Sequence, residues 1–202
     1  RACARKCRIV SHNSPLSLNS AVFNINEPLV TSGSRKMSKG VASQEPSRWA
    51  HTFRAYDIRG IYGKDLTIDF AERIAKGFGT FVGMGKKLAV GRDIRIGSEQ
   101  LKNAVTKGLV SAGCDVEDLG TVTTPLLYFG IAQRHKDGGI MITASHNPAE
   151  WNGLKLCREK GIIVGQCSGM EEIKKIIQSG NFTKAATKGK VQTYGDIVDE
   201  YA

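Results

Sequence analysis

Apolar residues after position 50 recur at intervals that predict helices alternating with short strands. Residues 68–82 place an apolar side chain at about every third or fourth position, which is the period of an amphipathic helix. Similar stripes predict helices at residues 98–112, 124–134, 169–178 and from 196 onward. Short β-rich runs predict strands at residues 87–91, 114–119, 139–144, 154–157, 162–164 and 191–194.

This alternation of strands and helices favours an α/β domain with a mixed, mainly parallel sheet. One local exception is expected, because residues 154–157 and 162–164 are separated by a Glu-Lys-Gly turn and could pair as an antiparallel hairpin. A domain of this length can bury most of its apolar surface without a partner. We therefore place one folded domain at residues 51–202.

The first 50 residues have neither a helical nor a strand period. They hold 8 Lys or Arg and 2 acidic residues, so they carry +6 of the chain's net charge of +10, and they are rich in serine. This composition is typical of a plastid transit peptide and predicts delivery to the chloroplast stroma. The alternative is a disordered basic tail on a cytoplasmic protein.

Other features of the sequence disfavour several functional classes. No stretch approaches the roughly 18 consecutive apolar residues of a membrane span. The folded part carries only +4 and lacks a recognised nucleic-acid-binding motif, so we expect neither nucleic acid nor membrane as a partner. The five cysteines and four histidines do not have the spacing of a metal site.

Candidate chemistry lies just after the strand predicted at residues 139–144. Residues 143–148 read Thr-Ala-Ser-His-Asn-Pro, which places Ser145 where a strand gives way to a loop. Ligands bind at such strand ends in open α/β sheets. A hydroxyl beside an imidazole can act as a nucleophile beside a base, but the same residues could also form a polar turn in which Ser145 only caps backbone groups.

Three segments, in order along the chain, carry a resemblance that bears on this choice. Residues 138–155 include the Thr-Ala-Ser-His-Asn-Pro sequence, residues 53–60 read Phe-Arg-Ala-Tyr-Asp-Ile-Arg-Gly, and residues 90–95 read Val-Gly-Arg-Asp-Ile-Arg. Together they resemble the α-D-phosphohexomutases, the family of phosphoglucomutases and phosphomannomutases. The resemblance runs from about residue 52 to the end. It implies the first of the family's four domains, a three-layer α/β/α fold.

The resemblance also implies an intramolecular phosphotransfer between the 1- and 6-positions of a hexose phosphate, an isomerase reaction of carbohydrate metabolism. Ser145 matches the serine that carries the phosphoryl group, with a hexose 1,6-bisphosphate as intermediate. His146 and Lys155 match residues assigned to acid/base work. Arg59 matches an arginine that faces both the reacting hydroxyl and the phosphoserine, and a guanidinium fork suits phosphate oxygens.

Three further residues are expected to bind the substrate or its phosphate: Arg92, Arg95 and Asn147. The two arginines follow a predicted buried strand, so they should lie at the same edge of the sheet as Ser145. The alternative is that both arginines form a structural ion network with Asp93 beneath the site.

The resemblance implies Mg²⁺ as cofactor, bound to the phosphate on Ser145 and to an Asp-x-Asp-x-Asp loop in the family's second domain. The sequence contains no such triplet. We therefore expect the chain to be the N-terminal part of a longer enzyme, or a truncated product, and to be nearly inactive alone. The alternative is a non-catalytic family member that binds a sugar phosphate or a protein partner.

Overall fold

The computed structural model describes residues 49–193 and 197–202. The segment interpreted as a transit peptide or tail therefore lies outside the described residues, except for Trp49 and Ala50. Trp49 stacks on Phe70 with ring centroids 4.4 Å apart, so the packing of the folded domain includes the last residues that we assigned to the tail. The last predicted strand ends at residue 194, and the last predicted helix begins at residue 196. Both of these residues also lie outside the described residues.

The described residues form five α-helices and six strands. The helices are α1 Ile68–Val82, α2 Ser98–Ser111, α3 Thr124–Gln133, α4 Met170–Ser179 and α5 Ile197–Tyr201. The strands are β1 Ile58–Ile61, β2 Lys87–Arg92, β3 Asp115–Thr121, β4 Gly138–Ile142, β5 Trp151–Arg158 and β6 Val191–Thr193. Within the described residues, no helix is both long enough and apolar enough to cross a bilayer.

All six strands belong to one mixed sheet in the order β1-β5-β4-β2-β3-β6. Strand β2 pairs in parallel with β3 and β4, and β3 pairs in parallel with β6. Strand β5 is antiparallel to both of its neighbours, β1 and β4. The predicted mixed, mainly parallel sheet is confirmed, and the carboxyl ends of β2, β3 and β4 meet at one edge.

Helices cover both faces of this sheet. Alternate residues of β2 point to opposite faces, so Leu88 and Val90 pack into a core with α1, α2 and α4, whereas Ala89 packs into a second core with α3 and α5. Helix α1 supplies the largest buried side chains of the first core, Phe70 and Phe78. Two apolar cores on the two sides of one sheet make the expected three-layer α/β/α domain.

The hairpin predicted after residue 154 is present in reduced form. Arg158 N–H donates to Ile162 O (2.7 Å), and Val164 N–H donates to Leu156 O (2.9 Å). The returning segment forms only one bridge, Cys157 with Ile163, instead of a strand. Strand β5 is also longer than predicted, because its first half pairs with β1, a strand that the sequence did not predict.

Gly153 lies at the point where β5 passes between its two neighbours. A Cβ at this position would stand 2.7 Å from the carbonyl oxygens of Ile58 and Thr143 and 3.1 Å from Arg59 Cγ. Because two of these neighbours are backbone atoms, they cannot move aside without disturbing the sheet. Only glycine therefore allows β1 and the end of β4 to close on β5, which brings Arg59 beside the serine loop.

Replacing Gly153 with alanine should lower the free energy of unfolding by about 1–3 kcal/mol, the usual cost of overpacking. Urea denaturation of the chain measures the change. Gly130→Ala is a matched control, since its Cβ would lie 3.3 Å from the flexible side chains of Leu119 and Ile197. A loss at position 153 no greater than that at position 130 would contradict the close approach.

Candidate functional site

Ser145 lies in the loop that connects the carboxyl end of β4 to β5. Its backbone is left-handed, with φ of 57°. The Ser145 N–H donates to Thr143 Oγ1 (2.8 Å), and its Oγ lies 3.2 Å from His146 Nδ1. Both Ser145 and His146 are exposed. The loop therefore presents a hydroxyl and an imidazole to the solvent at the carboxyl edge of the parallel strands, where the sequence predicts the site.

Two clefts border the serine loop. One has a volume of about 560 Å³ and separates the loop from the segment that follows β2. The other has a volume of about 360 Å³ and lies toward the segment before β1. Asn147 lines both clefts, while Ser145 lines the first and Arg59 the second. The serine hydroxyl thus stands beside space that a small ligand can enter.

Arg59 and Lys155 converge on one carboxylate. Arg59 on β1 lies opposite Gly153, two residues before Lys155, so both cationic side chains point to the same face of the sheet. Asp57 Oδ2 accepts from Arg59 Nε (2.8 Å) and lies 2.7 Å from its second terminal nitrogen and 3.3 Å from Lys155 Nζ. The Asp57 side chain is only 3% exposed, so this is a largely buried ion cluster.

Arg59 also contacts the serine loop directly. Its remaining terminal nitrogen donates to Ala144 O (3.3 Å) and to Asn147 Oδ1. Lys155 Nζ lies 5.3 Å from the ring centroid of Tyr56, which is half exposed beside the smaller cleft. The structure therefore brings four of the predicted site residues together around the loop: Ser145 with His146, and Arg59 with Asn147. Lys155 joins them through Asp57.

Arg92 and Arg95 lie at the carboxyl end of β2, as predicted, but their contacts differ. Arg92 donates to Asp93 O (3.1 Å) and lies 3.8 Å from Glu99, and its Nε is buried without a hydrogen-bond partner. Arg95 instead donates to main-chain carbonyls of the serine loop. The ion network with Asp93 therefore has a structural basis at Arg95, whose Nε lies 3.5 Å from Asp93 Oδ2, while phosphate binding by Arg92 and Arg95 stays a prediction.

Three residues of this site escaped the sequence reasoning. Asp57 is the shared counter-ion of Arg59 and Lys155, and its only signal was its place in the segment 53–60. Ser98 and Asn152 are fully buried and hydrogen-bonded to each other (2.9 Å) beneath the loop. Asn152 lies in the segment 138–155 and Ser98 begins a predicted helix, but neither position shows that the two side chains meet, because their contact joins distant segments.

The buried thiols of Cys157 and Cys114 do not compete with Ser145 as nucleophiles. Burial raises the pKa of the Cys157 thiol to about 12 and that of the Cys114 thiol to about 11. A thiol is reactive only as the thiolate, so both groups are inert near neutral pH. The exposed serine hydroxyl with its adjacent imidazole remains the better candidate.

A metal does not fit the described residues by themselves. No three carboxylate, imidazole or thiol groups come together in residues 49–193 and 197–202 in a way that could hold an ion. Two carboxylates next to the loop, Asp57 and Asp93, already face arginine or lysine groups. We therefore derive no step through Mg²⁺ from these residues.

The domain combines a three-layer α/β fold with an exposed serine and converging cations at the carboxyl edge of its sheet. These features define a class of protein suited to binding anionic ligands. The family model described as phosphoglucomutase/phosphomannomutase, alpha/beta/alpha domain I, matches residues 50–184. The chain belongs to this family and contains its first domain.

Individual relatives agree with this placement. The chain is 43% identical over 130 residues to the phosphomannomutase of Escherichia coli, with 64% of this chain and 28% of that protein covered. It is 42% identical to a phosphomannomutase sequence from Klebsiella pneumoniae, of which it covers 82%. A solved phosphoglucomutase/phosphomannomutase family protein from Burkholderia thailandensis superposes with a TM-score of 0.66 at 35% identity, covering 74% of this chain and 34% of that one. The chain thus spans about a third or less of the Escherichia coli and Burkholderia proteins.

Proposed function

We propose that the chain is the phosphoserine domain of an enzyme that transfers a phosphoryl group between the 1- and 6-positions of a hexose phosphate. The observation that carries the proposal is the exposed Ser145 hydroxyl on a loop that Arg59 contacts, together with the buried carboxylate that holds Arg59 and Lys155 near this loop. A phosphoserine carries between one and two negative charges near neutral pH, so its neighbourhood must be cationic.

In the proposed reaction, a hydroxyl oxygen of the hexose monophosphate bonds to the phosphorus on Ser145, and the bond from phosphorus to Ser145 Oγ breaks. The hydroxyl proton leaves to a base, the role that family resemblance gives to Lys155. Ser145 Oγ regains a proton, and His146 Nδ1 at 3.2 Å is placed to supply it. The bisphosphate then turns and returns its other phosphoryl group by the reverse steps.

Arg59 supports this transfer electrostatically. Its guanidinium lies against the loop that carries Ser145, and the Arg59 side chain is only 14% exposed, so it is partly shielded from water. Charge–charge interactions are stronger in such a setting than in bulk water. Asn147, which accepts from Arg59, and Arg92, which has a buried unpaired Nε, are proposed to help bind the phosphate or substrate.

The test compares the 202-residue chain with the longest natural form of the protein. The chain alone should interconvert hexose phosphates only at background rate, because it lacks an Asp-x-Asp-x-Asp loop and its described residues hold no metal site. The long form should turn over, and peptide mass spectrometry should find its phosphate on Ser145. Turnover well above background in the chain would contradict the first expectation.

The same experiment distinguishes the alternative, non-catalytic function from the catalytic one. A non-catalytic member that only binds a sugar phosphate or a partner would show no phosphate on Ser145 and no turnover in any form. The arrangement of Ser145, His146, Arg59 and Lys155 favours the catalytic function over this alternative.

A further inference from the structure

Arg95 uses its whole guanidinium within the protein. A guanidinium has five N–H donors. One, on Nε, faces Asp93 Oδ2 at 3.5 Å. The terminal nitrogens donate to four main-chain carbonyl oxygens of the serine loop and the start of β5, those of Ser145 (2.6 Å), Asn147 (2.5 Å), Pro148 (2.8 Å) and Trp151 (3.2 Å). In this arrangement Arg95 has no N–H left for a phosphate oxygen.

Arg95 is itself held by a buried polar network. Asp93 Oδ1 accepts from the Arg95 backbone N–H (3.0 Å) and from Ser98 Oγ (2.6 Å). Asn152, the second residue of β5, donates from Nδ2 to Ser98 Oγ (2.9 Å) and to Ile96 O (3.1 Å). The network therefore joins the segment after β2 to the strand that follows the serine loop. It fixes the backbone from which the Arg95 side chain extends to the loop.

The serine loop needs such a restraint because of its backbone. The left-handed conformation of Ser145, with φ of 57°, is unfavourable for a residue with a side chain. Thr143 Oγ1 fixes the N–H of Ser145, and Arg95 fixes its carbonyl oxygen. Because the peptide groups on both sides of Ser145 are held, the direction of its Cα–Cβ bond is set, and Oγ is left with only the rotamers about that bond.

We propose that Arg95 is a positioning residue that holds the serine loop in its left-handed conformation, rather than a ligand of the phosphate. The benefit to phosphoryl transfer rests on the proposed function. The restraint on the loop does not, because it requires no substrate. Arg59 differs from Arg95 in this respect, since it is held chiefly by the Asp57 side chain and lies toward the smaller cleft.

Amide hydrogen exchange of the 202-residue chain, resolved by NMR and without phosphate, tests the proposal. Arg95→Lys and Arg95→Gln should both speed exchange at Ser145, Asn147 and Trp151 by about tenfold or more, since several charge-assisted hydrogen bonds are lost. Lysine keeps the charge but cannot reproduce the planar fork that reaches four carbonyls. Exchange in α1 should stay unchanged, as it should throughout the control Lys64→Gln, which alters an exposed charge.

The proposal is overturned if the Arg95→Lys loop exchanges at the wild-type rate while its affinity for inorganic phosphate falls, because Arg95 would then be an anion ligand. It is also overturned if α1 exchange accelerates as much as loop exchange, since Arg95 would then stabilise the whole domain. Asp93→Asn is a milder variant that retains the Oδ1 acceptor and should give a smaller rise at the same amides. Failure of Ser145 to become phosphorylated would overturn the proposed function but not these results.

Discussion

Replacing Ser145 with alanine is expected to abolish hexose phosphate interconversion by the longest natural form of the protein. The variant removes the only atom proposed to carry the phosphoryl group, so turnover should fall by about ten-thousandfold or more, as when other enzymes lose their nucleophile. The fold should be unaffected, because the Ser145 side chain is exposed and the hydrogen bond of its Oγ within the described residues is to the neighbouring His146. Coupled assays of product formation and thermal unfolding measure the two effects separately.

Ser179→Ala is the matched control for this loss. Ser179 is also exposed, but it lies at the end of α4 and donates to the carbonyl of Ile176 in its own helix. Its replacement should leave both turnover and the phosphate on Ser145 unchanged. If the Ser145 variant kept its turnover, or if phosphate appeared on another residue, Ser145 could not be the carrier.

Much of the fold was predictable because its helices and inner strands bury regular apolar faces. Helix α1 has the predicted bounds, residues 68–82, and its apolar stripe packs on the sheet. Strand β1 was missed since it has only four residues, Ile-Arg-Gly-Ile, too few to show a period. Its place beside β5 depends on the close approach that Gly153 allows. This pairing joins segments about 95 residues apart, with Ile58 opposite Leu154.

The candidate site residues could be named from the sequence to the extent that their residue types indicate a chemical role. A serine beside a histidine could equally form a polar turn, so the prediction of a phosphate site rested on the resemblance of three ordered segments. The partners of these groups were not predictable: Arg95 could be recognised as a cation but not as a donor to four carbonyls. Asp57 could be recognised as an acid but not as the anion shared by Arg59 and Lys155, because that depends on how β1 pairs with β5.

The second large effect is expected at Asp57. Replacing it with alanine leaves Arg59 and Lys155 facing each other without their shared anion. Removing one partner of a buried ion pair commonly costs several kcal/mol, and we expect a loss of about 3 kcal/mol in the free energy of unfolding. This is the low end of the usual range, because the two cationic side chains are 14% and 15% exposed and water can partly screen them.

Urea denaturation measures the loss, and Glu159→Ala is its control. Glu159 pairs with Arg158 at 3.0 Å, but both side chains are more than two-fifths exposed, at 47% and 42%. An exposed pair contributes about 1 kcal/mol or less. A loss at Asp57 no larger than that at Glu159 would contradict its role as a buried counter-ion.

Inorganic phosphate should partly restore the stability of the Asp57→Ala variant. An anion that binds the folded state stabilises it by mass action, and the two cations released from the carboxylate offer such a site. Phosphate should therefore raise the unfolding free energy of the variant more than that of the wild-type chain, in which Asp57 Oδ2 already occupies the position between Arg59 and Lys155. Glu159→Ala should respond as the wild type does. An equal response of all three proteins would show that Arg59 and Lys155 do not form an anion site, and the proposed place of the phosphoryl group beside Ser145 would then be wrong.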